Sequence, residues 1–243
     1  MDRMIYLSMA GAKAAMHRQE VLSHNLANAS TTGFREEMAA FRAVPVRGEG
    51  ASTRVYALET TVGYNPDPGA MQPTARNLDV AMRGNAWLAV QSLEGTEAYT
   101  RAGALDVNAE GLLVTRSGLQ VAGDAGPITV PANAEVQIAA DGTVSATTPG
   151  GRPQTLGRLK MVTPEAALVR GNDGLFRAAD GNDLDADPAA RLQDGALEGS
   201  NVSPVETMVA MITAARQFEQ QMKLMQSAEK QEQTAAKLLS NNG

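Results

Sequence analysis

The chain has no cysteine among its 243 residues, which excludes disulfide staples, thiolate metal sites and a cysteine nucleophile. Aromatic residues are scarce at 4%, with a single Trp, so aromatic anchors cannot dominate a core or an interface. No apolar run reaches the roughly 20 residues that span a bilayer, so membrane insertion is not expected. The N-terminal stretch lacks a continuous apolar segment ahead of a small-residue cleavage site, which argues against a cleaved secretory signal.

Positive charge is missing where a nucleic-acid binder needs it. Residues 75–200 carry ten Lys/Arg against sixteen Asp/Glu, which accounts for the whole formal net charge of −6. Without a basic stripe to displace counterions from phosphates, nucleic acid is not an expected partner. Catalytic signatures are missing too: no GxSxG, P-loop, dinucleotide or HExxH pattern occurs. His17 and His24 are the only imidazoles; on a helix they stand about 10 Å apart along the axis, too far to share a metal ion. Asp183, Asp185, Asp187 and Asp194 fall at positions 1, 3, 5 and 12 of a calcium-loop register. Pro188, however, sits where that loop needs Gly, and Asp replaces the bidentate Glu. The expectation is a solvated acidic loop, with no catalytic, cofactor-binding or metal-binding residue and no enzyme activity. Trp87, inside an apolar run, reads as core.

What is present is concentrated at the ends. Ser203-Pro204-Val205-Glu206 is a helix start, with a capping Ser, Pro at the first helical position and Glu to complete a capping box. Behind it Met208, Met211, Ala215, Phe218, Met222 and Met225 alternate at spacings of three and four, the pattern of a coiled-coil seam. Val205, Val209 and Ile212 widen the stripe, and Ala236 and Leu239 resume it weakly after Glu229 and Glu232. No Gly or Pro interrupts Val205–Ser240, a helix of roughly 54 Å. At the other end Ile5, Met9, Ala12 and Met16, with Leu22 and Leu26, mark a helix over residues 2–25. Gly11 costs that helix up to about 1 kcal/mol, so it needs a partner. Nine of the twelve methionines lie in residues 1–42 and 201–243, suited to surfaces that pack in more than one context. Met9, Met16, Leu22 and Leu26 are expected to face Met208, Met211, Phe218, Met222 and Met225.

Between these ends lies a different texture. Residues 36–74 read as an extended connector, with a short helix over Glu36–Arg42 and a strand pair within Thr53–Val62. From 75 to 196, short apolar runs are punctuated by Glu94-Gly95, Glu110-Gly111, Ser117-Gly118, Asp141-Gly142 and Asp173-Gly174. Ten strands are expected: 78–82, 87–91, 98–100, 105–107, 112–115, 128–130, 136–139, 144–146, 156–161 and 167–169. The fold class is thus α+β by composition. An all-β central domain is flanked by an N-terminal helix (1–35 with its turn) and a C-terminal helix (197–243), the two pairing as a coiled coil.

One string is more specific than its composition. Asn28 to Gly33 reads as a helix stop and turn, with Gly33 free to take positive φ and Phe34 anchoring the exit; Asn25, Asn28, Thr32, Gly33 and Phe34 are expected to fix its geometry. As a string, Asn25-Leu26-Ala27-Asn28-Ala29-Ser30-Thr31-Thr32-Gly33-Phe34-Arg35 closely resembles the N-terminal signature of bacterial flagellar basal-body rod, hook and hook-associated proteins. Asn77-Leu78-Asp79-Val80-Ala81, Trp87-Leu88-Ala89-Val90-Gln91, Tyr99-Thr100-Arg101-Ala102-Gly103 and Asp141-Gly142-Thr143 are similar to that family's central β-blocks. Leu197-Glu198-Gly199-Ser200-Asn201-Val202 is similar to its entry into the C-terminal helix. Asp2–Tyr6, Gly157–Lys160 and Asn172–Arg177 are most similar to the proximal-rod members, with the distal-rod members as the alternative. The resemblance implies a structural subunit of the rod crossing the periplasm, with its helices lining an inner tube and its β-domain outward. Its partners would be other rod subunits, copies of itself and the flagellar type III export apparatus, which passes subunits without a cleaved signal.

Overall fold

Two periodic stretches become helices and the turn-rich middle becomes short strands. The computed structural model describes residues 2–45 and 55–240. Contacts divide the chain into a helical unit (Met1–Ala29, Glu36–Asn65 and Val202–Gly243) and a β-unit (Ser30–Arg35 and Pro66–Asn201).

In the helical unit, α1 (Asp2–Ala27) and α2 (Pro204–Ser240) pack against each other. Pro204 opens α2, where its missing N–H is no loss. Ser203 O receives the first helical bonds, from Thr207 N at 3.0 Å and Thr207 Oγ1 at 2.8 Å. The short helix expected over Glu36–Arg42 is not formed. Strand β1 (Glu37–Pro45) pairs antiparallel with β2 (Val55–Tyr64) along its whole length, with a bulge between Ala40 and Phe41. Met38-Ala39-Ala40 has helix propensity, but a β-branched partner strand offers a ladder that a two-turn helix cannot match. Residues 37–45 and 55–64 therefore contribute an antiparallel strand pair against α1, not an extended connector. Thr53 and Arg54, expected in that strand pair, lie outside the described residues.

The β-unit begins with β3 (Met71–Pro73), β4 (Val80–Met82), β5 (Trp87–Gln91), β6 (Glu97–Thr100), β7 (Leu105–Val107) and β8 (Leu113–Thr115). It continues with β9 (Ala122–Gly123), β10 (Gly126–Pro127), β11 (Glu135–Ile138), β12 (Thr143–Thr147) and β13 (Gln154–Arg158). The last are β14 (Met161–Val162), β15 (Val169–Arg170), β16 (Phe176–Arg177), β17 (Leu192–Asp194) and β18 (Ala196–Glu198). The largest sheet has the order β14-β5-β6-β16-β15, and β11-β12-β13 form a second. Val80, Leu88, Val90, Leu105, Leu113, Val144 and Leu159 are fully buried in one core. The strand expected at 128–130 is only a bridge from Thr129 to Leu112, although Ile128 and Val130 are both buried. Conversely β17 pairs with β4 and β18 with β3, more than a hundred residues back, so neither has a local hairpin signal.

Gly103 shows how closely these segments approach. A Cβ built on it would lie 1.7 Å from the carbonyl oxygen of Val80, whose N–H bonds Gly103 O at 2.9 Å. Gly103→Ala should therefore destabilise the β-unit by about 2–3 kcal/mol, because backbone cannot yield as a side chain can. Urea titration followed by Trp87 fluorescence measures it; an unchanged midpoint would refute the tight fit.

Candidate assembly site

The sense of the helix pair follows from the chain beside it. Gly33 N donates to Glu198 O at 2.8 Å and Asn201 N to Phe34 O at 3.4 Å, so the segment after α1 and the segment before α2 are tied together. Gly11 lies on Gln221, where an added Cβ would stand 2.9 Å from Cδ. Gly11 precedes Ala27 by about 24 Å of helix and Gln221 follows Pro204 by about 26 Å, so the helices run antiparallel with these ends level.

Small residues make the contact. Ser8, Ala12 and Ala15 are buried on α1, and Thr207, Ala214 and Ala228 on α2. With the half-buried Met211, Phe218, Gln221 and Met225 the α2 seam runs 207-211-214-218-221-225-228. Of the expected row, Met211, Phe218 and Met225 lie in this seam, while Thr207, Ala214 and Gln221 take the places of Met208, Ala215 and Met222. Close backbone approach multiplies dispersion contacts in a way that long methionines facing each other would prevent. Ile5, Leu22 and Leu26 are half-buried on α1, as Met222 is on α2. Met9 and Met16, at 53% and 50% exposure, do not face α2, and Met208 and Ile212, at 47% and 55%, turn outward beside Val205 and Val209. The side chains of Ala236 and Leu239 lie outside the described residues.

The residues of the turn after α1 divide between the two units. Within the helical unit Asn25, buried, works as a surrogate strand residue: its Nδ2 donates to Glu37 O and its Oδ1 accepts from Glu37 N, both at 2.8 Å. His24 Nδ1 meets Glu37 Oε2 at 2.8 Å, and Asn28 closes the helix through its N–H and Nδ2 on His24 O. Within the β-unit Thr32 is half-buried and Gly33 has φ +70°, with its α-carbon so near Arg101 that a Cβ would lie 2.3 Å from the Arg101 carbonyl carbon. Phe34 is buried beneath the Arg170 guanidinium, 4.5 Å from the ring centroid.

Arg35 then enters a buried ionic clasp. Glu198 is wholly buried; its Oε1 is 2.7 Å from Arg35 and accepts from Gly69 N at 3.0 Å. Its Oε2 is 2.8 Å from Arg101 Nε but off the N–H axis, an ion contact without a linear hydrogen bond. Arg35 also donates to Asp67 O at 2.7 Å, and Arg101 to Ala86 O and, at 2.9 Å, to Gly84 O. Both guanidiniums lie against Trp87, 6.0 and 5.7 Å from its ring centroid, and Phe176 packs on the same indole. Two cations to one carboxylate leave an excess positive charge, which carbonyl dipoles and the indole face offset. Burial pushes the Arg101 pKa down, and Glu198 opposes the shift. Reading the residues assigned no role to Arg35, Arg101 or Glu198. The available signal was a charged residue in each of three Gly-containing strings otherwise bound for the interior.

This arrangement is that of a structural protein with paired terminal helices. Three family models fall on its parts: a flagella basal body rod protein model on residues 5–35, a flagellar hook protein FlgE/F/G D1 domain on 81–146, and a flagellar basal body rod FlgEFG C-terminal model on 193–238. The chain belongs to the flagellar basal-body rod protein family, whose members are structural components and not enzymes. It is 48% identical to the flagellar basal-body rod protein FlgF of Salmonella typhimurium over 250 residues, covering 99% of each chain. Identity to FlgF of Escherichia coli is 47% over the same shares. To FlgG of Agrobacterium fabrum it is 29%, over 98% of this chain and 99% of the relative.

Two outcomes test this geometry. Glu198→Gln strands two buried guanidiniums and should cost about 3–5 kcal/mol in urea unfolding, against near neutrality for exposed Glu94→Gln. Gly11→Leu should part α1 from α2 and lower the helical circular-dichroism melting transition, while Gly11→Ala, which meets only the flexible end of Gln221, should change it little.

Proposed function

We propose that this chain is a proximal-rod subunit that polymerises through α1 and α2 and transmits torque across the periplasm. The observation that carries the reading is the apolar stripe Val205, Met208, Val209 and Ile212, which α2 leaves uncovered after packing on α1. Met9 and Met16, with Tyr6, extend apolar surface on α1. A monomer has no use for such surface, and neighbouring subunits bury it. The proximal position is supported by identity of 48% to an FlgF relative against 29% to FlgG relatives, which represent the distal-rod alternative. The alternating four-three spacing from Thr207 to Ala228 supports an antiparallel coiled coil as the pairing mode.

The partners on this reading are other rod subunits, proximal and distal, and copies of the same chain. The flagellar export apparatus delivers it to the basal body without a cleaved signal. No helix among the described residues is long and apolar enough to cross a membrane. No group of three or more His, Asp or Glu is gathered for a metal ion among them.

The test is Ile212→Asp, placed in a Salmonella typhimurium strain whose own FlgF is deleted. Ile212 is already exposed, so the purified variant should melt within a few degrees of the parent. It should be missing from isolated basal bodies and leave cells non-motile. Motile cells carrying the variant would eliminate this stripe as an interface.

A further inference from the structure

The β-unit is entered and left at one place. The chain enters at Ser30, leaves at Arg35, re-enters at Pro66 and leaves at Asn201. Residues 33–35, 67–70 and 198–201, which lie next to those exits, are bonded to one another, and Glu198 is also the last residue of β18, paired with Met71 of β3. Gly33 N bonds Glu198 O at 2.8 Å, and Asn201 N bonds Phe34 O at 3.4 Å. Asp67 O receives Arg35 at 2.7 Å and the Asn201 amide at 2.8 Å. Gly199 N bonds Ala70 O at 2.9 Å, so close that a Cβ on Gly69 would stand 2.0 Å from Gly199 O. Glu198 then takes Arg35, Gly69 N and Arg101 on its two oxygens.

We infer that this clasp is a force-bearing tie, across which load applied to the chain's entry and exit passes without reaching the sheets. A domain loaded through two separated ends carries the force through everything between them. Here the passes are joined within a few residues of where they leave, so β4 to β17 lie outside the load path. Among these joints the Arg35–Glu198 pair is charge-assisted and water-excluded, which makes it stronger than the neutral backbone bonds beside it. Glu198 and Arg35 are the positioning residues of the tie, and Arg101 secures it to the sheet through Gly84 and Ala86. The inference rests on the proposed rod function only for where the load comes from.

Single-molecule pulling tests it on the full chain, which has no native cysteine to compete with engineered handles. Handles at Ser30→Cys and Val205→Cys load the tie; handles at Ser117→Cys and Arg152→Cys load the β-unit elsewhere. Glu198→Gln and Arg35→Lys should each lower the rupture force roughly twofold across the first pair and distinctly less across the second, since Arg35 Nη1 reaches both Glu198 and Asp67 O and a Lys ammonium is not held there by a planar guanidinium. An equal fall across both pairs would make the clasp a general stabiliser and overturn the inference, as would no fall in either. If Glu198→Gln does not fold, Arg35→Lys decides the matter. Failure of the unmodified chain to enter a rod would remove the proposed function while leaving the pulling result intact.

Discussion

A carboxylate with no solvent exposure between two guanidiniums constrains everything around it. Glu198 cannot be buried alone, so Arg35 and Arg101 must reach it from positions 163 and 97 residues away. Around them Gly33 approaches Arg101, Gly69 approaches Gly199 and Gly103 approaches Val80, each too close for a Cβ. Replacing such a triad with apolar side chains is often neutral for stability. Its contribution here is geometric: it sets which segments meet, and at which residue.

The helical unit obeys a different constraint, that of close approach. Ser8, Gly11, Ala12 and Ala15 on one side and Thr207, Ala214 and Ala228 on the other let two backbones come together, and the longer side chains on flanking positions are displaced outward. On the proposed function, folding and assembly use separate faces of the same helices. Small residues hold the pair, and Met9, Met16, Met208 and Ile212 stay available to other molecules. The assembly reading depends on this division, because a seam that also consumed Met9, Met16, Met208 and Ile212 would leave little apolar surface.

Much of the fold was legible because its signals are local. Ser203-Pro204, the unbroken run to Ser240 and the turn-separated apolar runs at 87–91 and 105–107 each carry their structure within a few residues. The family strings were legible as strings, and identity over almost the whole length of FlgF relatives agrees with them. Position along the seam was harder, since rows at 207-214-221 and 208-215-222 differ by only 100° of rotation and both satisfy a four-three pattern. Hydrophobicity favoured methionine; backbone proximity favoured alanine. The pairing of β1 and β2 was hidden for the opposite reason, because its partners are separated by residues with no turn signature that fixes register.

Sequence alone determined the class of structure: two terminal helices, a β-rich middle, and membership of a family of rod proteins. These follow from periodicity, turn residues and motif strings, all properties of neighbours along the chain. Tertiary structure alone decided which helix face is inside, that residues 37–45 pair with 55–64, and that Arg35, Arg101 and Glu198 meet. Ion pairing and backbone approach act between residues distant in sequence, so no local pattern announces them until the chain is folded.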